Sequence, residues 1–110
     1  MNKRTKVYIA GPYTNGDVGE NVHNACIAWT ILWRKGYVPY CPHWTHFQHT
    51  LHPMDKNEWL DFDDEWLPLC NVVLRLPGPS HGADAEIELA KEHNIPVVYS
   101  VEELLELFPL

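Results

Sequence analysis

The sequence predicts an α/β fold: one domain in three layers, with helices on both faces of a parallel sheet of four strands, five at most. Three observations predict it. Short β-rich runs alternate with helix-length amphipathic segments, Gly and Pro fall at the ends of those runs, and the apolar content suits one core. The chain has 110 residues, 45% hydrophobic and 21% charged, which fits a single globular domain over 1–110 and excludes disorder throughout.

Each element has its own signal. Lys6–Ala10 (K-V-Y-I-A) is a first strand stopped by Gly11-Pro12. A polar loop, Thr14 to Gly19, leads into a helix over Glu20–Lys35, whose apolar residues Val22, Ala25, Cys26, Trp29, Leu32 and Trp33 recur at three- and four-residue steps before Gly36. Tyr37–Cys41 is a second strand, and Pro39 argues against a central place for it. Pro42–Pro53 reads as an irregular stretch rich in His and aromatics. A second helix is expected over Asp55–Leu67, and Asn71–Leu76 (N-V-V-L-R-L) is the clearest buried strand, closed by Pro77-Gly78-Pro79. A third helix follows over Gly82–Asn94, a fourth strand over Ile95–Tyr99, and a last helix over Val101–Leu107 capped by Ser100. Such an order implies right-handed βαβ units in a Rossmann/flavodoxin-like sandwich. Ligands then bind beyond the C-terminal ends of the strands, at Gly11–Gly16, Cys41–His52 and Pro77–Gly82.

Fifteen acidic against eight basic residues leave a formal charge of −7, which argues against a polynucleotide partner. It leaves room for a small phosphorylated ligand held by a helix N-terminus. No apolar stretch approaches the roughly 18 residues of a membrane span, and the basic start M-N-K-R-T-K is followed by no signal-peptide core. Cys26, Cys41 and Cys70 form an odd set without a C-x-x-C pair. Reduced thiols and a cytoplasmic location are the expectation.

Two carboxylates fall on the wrong face of their helices. At about 100° per residue, Ala83, Ile87 and Ala90 form the core stripe of the third helix, opposite Asp84, Glu88, Lys91 and Glu92, yet Glu86 projects beside the stripe. In the second helix Trp59, Leu60, Phe62, Trp66 and Leu67 define the apolar arc; Asp61, Asp64 and Glu65 lie outside it, but Asp63 falls near its middle. A carboxylate on a core-facing stripe is costly unless it is paired, hydrogen-bonded or facing a cavity. An inward acid can be an ion-pair partner or a cap; two of them beside one strand end favour a shared acidic cleft. The helix dipole should keep Glu86 ionised, and desolvation among tryptophans should raise Asp63 so that it can donate a proton. One charged and one proton-bearing carboxyl can break a glycosidic bond, and other proton transfers would suit them almost as well.

The chain resembles the nucleoside 2-deoxyribosyltransferase superfamily, including its nucleoside 5′-monophosphate N-glycosidase branch and small uncharacterised relatives. The likeness rests on Y-I-A-G-P-Y (Tyr8–Tyr13), on D-x-x-W-L-x-x-C-N (Asp63, Trp66, Leu67, Cys70, Asn71), and on L-P-G-P-S-x-G-x-x-x-E (Leu76–Glu86) followed by I-P-V at Ile95–Val97. The resemblance implies cleavage or transfer at the N-glycosidic bond of a nucleoside or its monophosphate, by hydrolysis or by transfer to a second base. It makes Glu86 the nucleophile at C1′, Tyr8 the residue orienting that carboxylate, and Asp63 the acid assisting departure of the base. It places Ser80 on a 5′-phosphate, which Gly82 and the neighbouring N–H groups would help surround. Family members are typically homodimers or larger, and Ile27 and Ile31 on the first helix are compatible with a subunit contact. The chain departs from the pattern in having no Arg after the Gly11 turn and Asn71 where Asp is usual.

Gly11 and Tyr13 of the first loop, with His43 and Trp44 of the His-rich stretch, complete the expected substrate contacts. Tyr13 lines the sugar site or is only a turn aromatic; Trp44 stacks on a base or only packs. The expected chemistry needs no cofactor or metal. One rival is a metal-dependent hydrolase built on His43, His46, His49 and His52, which recur every three residues. The other is a nucleotide-sensing module without turnover.

Overall fold

Val7–Ala10 and Val72–Leu74 are buried without a polar side chain other than the Tyr8 hydroxyl, as strands covered on both faces must be. In the structure, a computed structural model describing residues 4–110, they are the two central strands of a four-stranded, all-parallel sheet. Its order is β2-β1-β3-β4, with β1 at Lys6–Ala10, β2 at Val38–Tyr40, β3 at Val72–Arg75 and β4 at Val97–Val98. The first three positions of the basic N-terminal run lie outside the described residues. β1 pairs with β2 through Tyr8 opposite Tyr40, and with β3 through Tyr8 opposite Val73. Pro39 lies in an edge strand, where a missing N–H costs least.

Helices α1 (Val18–Lys35) and α5 (Val101–Leu107) cover one face, burying Ala25, Leu32 and Leu104 against Val7, Ile9, Val72, Leu74 and Val98. Helices α3 (Lys56–Trp66) and α4 (His81–Glu92) belong to the other, where Leu67, Ala83 and Ala90 pack with Tyr8, Ala10 and Val73. This is the three-layer sandwich that the alternating pattern implies. No helix of the described residues is long and apolar enough to cross a membrane, and Cys26, Cys41 and Cys70 are free thiols.

Several boundaries and one segment differ from the sequence-based expectation. α1 begins two residues earlier, because Asp17 caps it by accepting from the Glu20 N–H. Strands β2 and β4 are shorter than expected. The largest change is at Pro42–Pro53, which is not irregular: a 3-10 turn over Pro42–Trp44 runs into α2 (Thr45–Leu51). The proline starts the turn, where its missing N–H is harmless. The expected apolar arc of α3 also needs correction. Asp63 is its buried residue, whereas Phe62 and Trp66 are more than two-fifths exposed. The helix leans a single acid and the half-buried Trp59 and Leu60 inward, leaving an aromatic ridge in which Trp59, Phe62 and Trp66 contact one another in series. Ile27 and Ile31 are likewise exposed on α1.

The sheet order reverses between β1 and β3, and the loops after these strands meet there. A Cβ on Gly11 would come within 3.0 Å of the Leu76 Cβ, and one on Gly78, whose φ is +113°, within 2.9 Å of the Pro12 Cγ. The two loops therefore close on each other only because both positions lack a side chain. Gly78→Ala should lower stability by roughly 1–3 kcal/mol, through the left-handed backbone and the clash with Pro12 together. Urea denaturation checks this; an unchanged midpoint would show that the contact between these loops is not a constraint.

Candidate active site

Beyond the carboxyl ends of β1 and β3 lies a cleft of about 300 Å³. Its wall is built from the β1 loop (Gly11, Tyr13, Thr14, Asn15), the turn after β2 (Pro42, His43), α3 (Lys56, Leu60, Asp63) and the start of α4 (Ser80–Ala83, Glu86). The structure thus brings together Glu86, Asp63, Gly11, Tyr13, His43, Ser80 and Gly82 around one hollow. Tyr8 is not part of the lining, but its hydroxyl is bonded to Glu86. Trp44 is the exception and corrects the expectation that it faces the substrate. Its half-exposed ring lies 5.1 Å from Trp29 and lines a separate groove with Phe47, so it packs α1 against the turn rather than facing the acids.

Glu86 is 7% exposed and Asp63 8%, a burial that a carboxyl tolerates only with hydrogen bonds or a bound proton. The Tyr8 hydroxyl donates to Glu86 Oε2. The Tyr40 hydroxyl donates to Asp63 Oδ1 over 3.4 Å. Burial, with a smaller contribution from Asp63, pushes Glu86 up to about 8 against the lowering effect of the Tyr8 bond. Burial also pushes Asp63 up to about 7, against the lowering effect of the Tyr40 bond. Glu86 therefore departs from the expectation of a simply ionised carboxylate. It is the sixth residue of α4, more than a turn from the N-terminus, where the helix dipole has faded and desolvation wins. Both acids are thus raised mainly by loss of water, and neither is a simply ionised carboxylate at neutral pH. Tyr8 itself is driven well above the ordinary tyrosine range by burial and by Glu86, so its hydroxyl stays a donor.

The loops around this pair are pinned by the histidines. His43 Nε2 donates to the Pro12 carbonyl at 2.9 Å, and burial lowers its pKa, so a neutral ring suits the site. His46 Nδ1 meets the Tyr13 hydroxyl, and Asn21 donates to the Tyr13 and Asn15 carbonyls. His49 Nδ1 accepts from the Trp59 indole at 2.9 Å, tying α2 to α3. The three-residue spacing thus serves three different tethers. Among the described residues no three His, Cys, Asp or Glu side chains gather as metal ligands would, which leaves the metal-hydrolase rival without a geometric basis.

Ser80 caps α4: its Oγ accepts from the Ala83 N–H at 3.1 Å, and its carbonyl accepts from Asp84 N–H. That bond does not use the hydroxyl proton, and Ser80 lines the cleft. The His81 and Gly82 N–H groups have no partner within the described residues and open the positive end of the helix. Lys56, on the same wall, is a cation that sequence reading passed over. It sits at the first position of α3, and its only signal was a basic residue next to an N-cap Asp. Asn71, by contrast, is at the far end of the sheet, where its Oδ1 accepts from the Lys6 N–H at 2.8 Å. Its side chain therefore does not touch the cleft.

Fold and cleft together define a small parallel α/β protein with a buried pair of acids at the topological switch point of its sheet. A family model described as a domain of unknown function, DUF7768, matches residues 5–100, and the chain belongs to that family. The comparison with curated proteins finds no match.

Raised carboxyl pKa values mean that the folded chain binds more protons than the unfolded one between about pH 4, the ordinary carboxyl range, and the folded values of about 7 and 8. Stability contributed by this pair is therefore highest at low pH and lost as pH rises through that window. The double variant Asp63→Asn with Glu86→Gln should gain stability relative to the parent between pH 5 and pH 8.5. Parallel curves in chemical denaturation at the two pH values would contradict the shared burial of the pair.

Proposed function

We propose that this protein breaks the N-glycosidic bond of a nucleoside or nucleoside 5′-monophosphate through a glycosyl ester on Glu86. The observation that carries this is that two buried acids from different helices, Glu86 and Asp63, line one sugar-sized cleft, with Tyr8 from the adjoining strand bonded to the first. In the first half-reaction a Glu86 carboxylate oxygen bonds to C1′ while the C1′–N bond breaks. Its electron pair goes to the base nitrogen, and Asp63 supplies a proton to the base. In the second, water attacks C1′, Asp63 as carboxylate takes its proton, and the ester electrons return to Glu86. A second base in place of water turns the same steps into transfer.

The cycle needs the negative charge on Glu86 and a proton on Asp63. Positive charge developing at C1′ stabilises the ionised form of Glu86, and burial favours the protonated form of Asp63. The Ser80 hydroxyl, the His81 and Gly82 amides and Lys56 are among the donors of the cleft, and together they favour an anionic group on the substrate over a neutral hydroxyl. The family resemblance noted from the motifs supports the same assignment. The hydrolysis of a monophosphate is therefore the preferred form of the reaction.

Incubation with a panel of nucleosides and their 5′-monophosphates, followed by chromatography for free base, tests this. Base should be released, and Glu86→Ala should lower the rate by about 10³-fold or more, the scale expected for a covalent nucleophile, while circular dichroism remains that of the parent. Binding of monophosphates without any release would identify a sensor instead. Lys56→Ala should raise KM for a monophosphate by about fivefold while leaving KM for the matching nucleoside within about twofold, the size of one exposed charge contact. Equal effects on both would remove the phosphate from that side of the cleft.

A further inference from the structure

Tyr8 and Tyr40 are direct partners in the parallel pairing of β1 with β2, so their side chains leave the same face of the sheet. Their rings lie 5.5 Å apart. Each carries its hydroxyl to a different acid, Tyr8 to Glu86 and Tyr40 to Asp63. Trp66, one turn beyond Asp63 on α3, stacks with the Tyr40 ring at 5.6 Å and 19°. The ring therefore contacts both its strand neighbour and the helix that carries the acid.

We propose that Tyr40 is a positioning residue for Asp63, serving the second acid as Tyr8 serves the first, and that its hydroxyl takes up the negative charge left when Asp63 gives its proton away. This deepens the proposed glycosidic reaction and rests on it for the identity of the proton's destination. At 3.4 Å the bond is long, at the weak end of hydroxyl–carboxyl contacts. A carboxylate draws a phenol donor closer and strengthens the bond, because charge-assisted hydrogen bonds are shorter and roughly twice as strong. The interaction therefore grows as the proton leaves Asp63, which is what selective stabilisation of that step requires. Burial, followed by Asp63, holds Tyr40 well above the ordinary tyrosine pKa, so it donates without losing its own proton.

Other groups act on Asp63 as well. Asp64 raises it from its own helix, and Glu86 and Tyr8 face it from α4 and β1. His43, Lys56 and His81 share the cleft wall, and Cys70 acts on Tyr40. Of these, Tyr8 also feels the Tyr40 hydroxyl, which is why a Tyr8 variant is the control.

Tyr40→Phe keeps the ring and its contacts with Tyr8 and Trp66 and deletes the donor alone. Carbon-13 NMR of the labelled Asp63 carboxyl, read without substrate, should show its titration midpoint rising by about one pH unit, with thermal stability near that of the parent. Base release should show a kcat about tenfold lower with KM unchanged. As a control, Tyr8→Phe should move the Glu86 midpoint more than that of Asp63. An Asp63 midpoint that stays in place in Tyr40→Phe, or an undiminished kcat, overturns the proposal. If neither the parent nor any variant releases base, the glycosidic reading fails on its own, and the NMR midpoint by itself decides whether Tyr40 governs Asp63.

Discussion

Two carboxyl groups buried against each other dominate the physical chemistry of this molecule. Neither can ionise freely, because water has been removed from around both, and Asp63 adds to the penalty on Glu86 while Asp64 adds to that on Asp63. The protein meets that constraint with hydroxyl donors rather than with cations. Among the described residues, the ion pairs are those of Arg75 with Asp84 and Lys91 with Glu88, and neither includes Glu86 or Asp63. A phenol donor lowers the cost of a buried carboxylate without neutralising it. The pair is left able to exchange a proton near neutral pH, which an Arg or Lys partner would have prevented by locking the carboxylate in its ionised form.

The parallel sheet makes this arrangement possible. In-register pairing sets Tyr8 and Tyr40 side by side on one face, and the helices that follow β2 and precede or follow β3 bring one acid each over that face. The reversal of strand order between β1 and β3 then opens a crevice between their loops. Two glycines, Gly11 and Gly78, let those loops come close, and the His43, His46 and His49 tethers hold the surrounding segments. The cleft is thus a consequence of topology, sharpened by a few polar contacts whose partners come from separate elements.

Much of this is legible in the chain itself. The alternation of apolar strand runs with amphipathic helices carries the fold class, since a helix and a strand bury different periodicities and leave that difference in the sequence. The position of Glu86 beside Ala83, Ile87 and Ala90 is visible for the same reason, and so is Asp63 among its apolar neighbours. Other features leave weaker traces. A seven-residue helix between two prolines, α2, has too few turns to show a period and no buried residue to mark a face. The Trp59, Phe62 and Trp66 ridge reads as core because aromatic residues usually are, yet only the docking of α3 against the sheet determines which side of the helix faces inward. Lys56 is one exposed basic residue among eight basic ones, and nothing local distinguishes it.

What the sequence by itself determined is the set of elements, their parallel α/β arrangement and the two acids that break the amphipathic pattern, because these follow from spacing along the chain. Only the tertiary structure decided that both acids share one cleft, that a tyrosine from each of two neighbouring strands reaches them, and that Glu86 is raised rather than held ionised. Those outcomes depend on distances between segments remote in sequence and on how completely water is excluded between them, and neither is written in the order of residues along any one helix or strand.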